Sequence, residues 1–164
     1  MPEITTTTDQ AEHSKPIRLA RTALDAAMAG RWDAAQRALQ RIGEECGDDG
    51  LGSAVLALCD TLIAHATDGD VGAKSARISF MNGDTGQLDQ PGSDQVPAEV
   101  QWAARLIGAR AAMDEDRFVA VLDELPRDGL AIGRHVWSLL QVVAWTVNGL
   151  PRGYTRMGRG GSDA

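Results

Sequence analysis

The 164-residue chain is short of cysteine, lysine and aromatic residues, and each shortage excludes something. Two cysteines, Cys46 and Cys59, are too few for the disulfide framework that stabilises small secreted domains. Lysine occurs only at Lys15 and Lys74, so fourteen of the sixteen basic residues are arginine, in an alanine-rich chain with the usage of a GC-rich bacterial coding sequence. Twenty-three acids against those sixteen bases give a formal charge of −7, which disfavours a uniformly basic nucleic-acid or membrane-binding surface. The most apolar C-terminal stretch is interrupted by Arg134, His135, Ser138, Gln141 and Asn148, leaving less than the about 20 predominantly apolar residues a membrane span needs, so it reads as a core helix. The opening MPEITTTTDQAEHSK lacks the basic and apolar regions of a secretory signal, and the expected compartment is the cytoplasm.

Alternation of period two is also missing, apart from a hint at residues 76–80. What is present is helical periodicity. Ile17, Ala20, Leu24, Ala27 and Met28 recur at three- to four-residue spacing opposite Arg18, Arg21 and Asp25, which predicts an amphipathic helix with Pro16 in its first turn and Gly30 beyond its end. Trp32, Ala35, Leu39, Ile42 and Cys46 mark a second helix that stops at the 47–50 cluster of Gly and Asp. A third, more apolar helix covers about 51–66. Helical spacing resumes at Pro97 and runs to Met113, continues in a short helix carrying Phe118, Val121 and Leu122, and ends in a helix over about 130–148.

The predicted fold is therefore all-α, a helical bundle or short helical-repeat array of about six helices in two groups of three. Residues 1–14 read as a flexible tail, 15–66 as the first three-helix unit, 67–96 as an acidic Gly-rich loop or linker, 97–149 as a second unit packing on the first, and 150–164 as a flexible Arg/Gly tail. A chain of this size buries enough surface, about 70% of that exposed when unfolded, to need no disulfide or metal. The negative charge concentrates in the middle segment, where residues 51–100 carry seven acids and only Lys74 and Arg77.

Leu19 and Ala23, followed by Gly30, Trp32, Ala35 and Leu39, make residues 17–44 resemble a tetratricopeptide-type α-hairpin. A second copy would place Ala109, Phe118 and Leu125 in matching positions, although Asp116 stands where the family has glycine. The resemblance implies a helical scaffold that binds a protein or peptide rather than a catalyst.

Local chemistry is sparse. Cys46, Cys59, His65 and His135 lack the paired spacing of a zinc site, so no metal and no cofactor are expected. Asp68, Asp70 and Gly72, with Asn82, Asp84 and Gly86, faintly resemble calcium loops but lack the distal bidentate acid, and turn propensity accounts for them. GDVGAKS at 69–75 departs from a phosphate loop because Ala73 separates Gly72 from Lys74. Catalytic motifs are absent.

The leading expectation is a non-catalytic protein-interaction or regulatory module. Its recognition residues would be Trp32 and Trp102 with Arg18 and Arg21, since exposed tryptophans dominate interface energetics. The partner would be a protein or peptide, with a homodimer among the alternatives. A second reading is a small enzyme or ligand binder whose pocket between the units is lined by His65 and His135. A third is nucleic-acid contact through Arg152, Arg156 and Arg159, although three charges supply little affinity at cellular salt.

Overall fold

The structure, a computed structural model, describes residues 6–69, 80–81, 88–89 and 96–153. Its helices are α1 (Thr6–Met28), α2 (Trp32–Thr67), α3 (Ala98–Ala111), α4 (Glu115–Asp123) and α5 (Gly129–Gly149). A two-residue antiparallel ladder pairs β1 (Phe80–Met81) with β2 (Leu88–Asp89), with Phe80 opposite Asp89 and Met81 opposite Leu88. The fold is all-α.

Two boundaries differ from expectation. The expected second and third helices form the single element α2, so the described residues make five helices rather than six; the one non-helical residue inside α2 is Gly47, at φ 65° and ψ −168°. Glycine takes up the change of direction in one residue, so no loop intervenes. The first helix starts at Thr6, not at Pro16, and residues 6–14 belong to it rather than to a flexible tail. Proline removes a single N–H donor, and here Pro16 is buried against α2, its Cβ lying 3.6 Å from where a side chain on Gly50 would begin.

The chain doubles back twice in its first half. Gly30, at φ 74°, ends the turn between α1 and α2, and Arg31 donates its N–H to Ala26 O at 2.8 Å. The first arm of α2 (residues 32–46) then returns along α1, and its far end is tied to the middle of α1 by the 2.8 Å ion pair between Lys15 and Glu45. Beyond Gly47 the second arm (residues 48–67) passes Pro16 and shares walls of one hollow with Leu24 and Met28. Small residues line these crossings: Ala20, Ala23, Ala27, Ala35 and Ala54 are buried, which permits close helix approach.

The second half closes on the first. Asp114 caps α4 by accepting the Arg117 N–H at 3.0 Å, and Asp128 caps α5 by accepting from Leu130 N. One apolar cluster runs from Leu19 to Ala144, with Ile42, Leu58, Leu62, Leu106, Ile107, Leu139 and Leu140 fully withdrawn from water, so residues 15–66 and 97–149 share a core. The described helices show no tetratricopeptide-like repeat. The short α4, nine residues long, is no counterpart of α2.

Candidate functional site: an aromatic edge and a glycine-floored groove

Helix α5 is apolar on almost every side, and the core takes only part of it. Val136, Leu139, Leu140 and Val143 face inward. Leu130 remains 78% exposed and Trp145 60% exposed. Trp137 lies half-buried between them, and seven- to eight-residue spacing places all three along one side of the helix.

Trp32, the first residue of α2, stands against this edge. Its ring meets Trp137 at 5.6 Å between centroids and Trp145 at 6.3 Å, both edge-on at 67°. Such edge-to-face pairs set the electropositive ring edge against the electron-rich face and fix ring orientation, each contributing about 0.5–1.5 kcal/mol beyond burial. The hairpin turn at Gly30 positions Trp32 for both contacts. The Asn148 side-chain amide donates to Met28 O at 3.0 Å and clamps the end of α5 to the same turn.

Beside the aromatic edge, α5, the first arm of α2 and the start of its second arm enclose a groove of about 730 Å³. Leu39, Leu51, Ile132, Val136 and Trp137 give it apolar walls, while Glu44 stands on the α2 side and Arg134 on the α5 side. Three of its residues, Gly43, Gly129 and Gly133, have no side chain, and a Cβ added at any of them would meet nothing within 4 Å. The absence of those side chains opens the groove. Glycine inside a helix is less favourable than alanine by about 0.8–1.0 kcal/mol, and no contact among the described residues requires it at Gly43 or Gly133.

A second hollow, of about 460 Å³, lies between α1, the second arm of α2 and the end of α5. His65 lines it, with its Nε2 at 2.7 Å from Leu150 O. Gly153 N donates to His65 O at 2.7 Å, and Arg152 pairs with Asp68 at 2.5 Å, so the end of α2 and the segment after α5 are stitched together.

The expected site residues are scattered. Trp32 belongs to the aromatic edge. Trp102 does not: it is 2% exposed, its indole N–H donates to Val121 O at 2.9 Å, and this core position removes it as a contact residue. Arg18 and Arg21 are exposed on α1 and neither lines the groove, while Arg21 stands at the second hollow. His65 and His135 do not share a pocket, because His135 turns its Nδ1 to Ala131 O at 2.7 Å and packs edge-on against Trp102 at 5.4 Å, outside both hollows. Arg152 is engaged with Asp68, whereas Arg156 and Arg159 lie outside the described residues, as do the calcium-like and phosphate-loop-like positions from Asp70 onward.

Cys59 is fully buried, and desolvation pushes its thiol well above the ordinary range, which leaves it a packing residue with no nucleophilic character. Among the described residues no group of three His, Cys, Asp or Glu side chains is placed to hold a metal ion. By length and composition α2 is the one described helix long and apolar enough to cross a membrane; half of its most apolar window is buried against the other helices, and Gly47 interrupts it.

Sequence reasoning missed Trp145, Leu130 and the groove glycines as site residues. The 130, 137, 145 spacing was the available signal. No protein-family model, curated protein or solved structure matches the chain.

Proposed function

We propose that this chain is a non-catalytic protein-interaction module whose recognition surface is the outer edge of α5, with Trp145 as the anchor. The observation that carries the reading is Trp145 itself, 60% exposed yet braced edge-on by Trp32. A tryptophan supplies a large contact area with little conformational entropy to lose, and one already oriented by a neighbour loses less still. Burying it against a partner stabilises the complex far more than it stabilises the free fold. The partner is a protein or peptide presenting an apolar pocket for the indole.

The test is affinity capture with the full chain and with Trp145→Ala, whose fold is checked by circular dichroism. The expected result is a partner retained by the natural chain and lost by the variant. Identical captured proteins with both chains would count against the reading.

A further inference from the structure

The groove beside the aromatic edge has three properties that point to one occupant. It is floored by glycines whose missing side chains serve no contact among the described residues, so the space over Gly43 and Gly133 suits close approach by a helix from outside. Among the described residues the most exposed large apolar side chain, Leu130 at 78%, stands on the rim of the same groove. A surface that carries both a protruding side chain and a cavity can pair with a second copy of itself, each side supplying both parts, as an isologous interface requires.

The two walls also carry opposite charges. Glu44 lies on the α2 wall, held by the Gln40 amide at 2.8 Å, and Arg134 lies on the α5 wall with a side chain 66% exposed and only a long 3.8 Å contact to Glu99. A second copy that lays its own α5 into the groove brings its Arg134 to the α2 wall, where Glu44 stands. An unrelated hydrophobic helix would use the leucines but would gain nothing from this pairing.

We propose that a second copy of this chain fills the groove, each copy's Leu130 seated over the other's Gly43 and Gly133, with Arg134 of each facing Glu44 of the other. The proposal rests on the interaction reading above and adds the identity of one partner. Trp145 lies more than two helical turns from Gly133 and stays outside the contact.

The test is sedimentation of the full chain from about 1 µM to about 500 µM, a range that spans the affinities of small interfaces. The natural chain moves to twice its 17.4 kDa monomer mass as concentration rises. Gly133→Leu, which projects into the groove from a position where a Cβ meets nothing within 4 Å among the described residues, abolishes the dimer and leaves the thermal midpoint equal or higher. Leu130→Glu does the same at the protruding side chain. Glu44→Arg and Arg134→Glu each weaken the dimer at least tenfold, and the two together restore it. A natural chain monomeric across the range, or a dimer of unchanged affinity in Gly133→Leu, overturns the proposal. Trp145→Ala separates the two readings: it leaves the dimer intact while abolishing capture of the other partner, so either reading fails without the other.

Discussion

Trp145 rests edge-on against Trp32, 6.3 Å between ring centroids, and of the two only Trp145 stands mostly in water. The bracing ring comes from the start of α2, the exposed one from near the end of α5. This pairing joins the first half of the chain to the second at its surface and has a direct spectroscopic consequence.

With Trp102 sealed in the core and Trp32 and Trp137 half-buried, Trp145 carries most of the fluorescence open to a collisional quencher. Trp145→Phe is expected to remove most of the iodide-quenchable emission. Because the side chain is exposed, the stability change stays within about 0.5 kcal/mol in urea unfolding. Quenching unaltered by the substitution would place the accessible indole elsewhere.

Two glycines of α2 respond in opposite directions to alanine. At Gly47, φ 65° and ψ −168° lie in a region open essentially to glycine alone, so Gly47→Ala costs about 1–3 kcal/mol. At Gly43 the backbone is helical and a Cβ meets open space, so Gly43→Ala adds about 0.4–1 kcal/mol of stability. Denaturant midpoints of the two variants against the natural chain measure both signs.

Acid unfolding reports the ion pairs of Glu45, with Arg41 inside α2 and with Lys15 on α1. Hydrogen bonds from Arg41 and then from Lys15 hold the Glu45 carboxyl down to about 2, from an ordinary 4.5. A depressed carboxyl stabilises the fold fully above its unfolded pKa and loses that contribution as pH falls through the folded one, so the loss runs from about pH 4.5 down to about pH 2. Glu45→Gln is expected to lower stability at neutral pH and to flatten the stability profile across that window, as followed by urea midpoints.

Thiol reactivity separates the two cysteines. Cys46 is half-buried and Cys59 fully buried with its thiol pushed up by desolvation. A disulfide reagent is expected to modify Cys46 in the native protein and Cys59 only after denaturant is added. In Cys46→Ser the native chain shows no fast-reacting thiol.

Much of the architecture was legible because helical periodicity is a local property. The stripes Leu24–Ala27–Met28 and Leu139–Leu140–Val143 name their helices and core faces without reference to any other part of the chain. Pro16 misled because a proline at a first turn and a proline buried within a helix look alike until the neighbour that covers it, here Gly50, is known. The 47–50 cluster likewise reads as a helix end, whereas the backbone at Gly47 alone accomplishes the change of direction.

The site was less legible, since exposure is decided by what packs on a residue. Trp102 and Trp145 are chemically identical and both sit in helices with apolar stripes. Trp102 is covered by α4, whose Val121 carbonyl takes its indole N–H, and Trp145 is flanked by Trp32 but not covered. Composition and spacing by themselves determined that the chain is helical, that a substantial core forms without disulfides, and which faces of the helices are apolar. Tertiary packing decided which apolar surface was left over, because five helices meeting around one core cannot cover every side of α5, and the uncovered side is where Leu130, Trp145 and the groove lie.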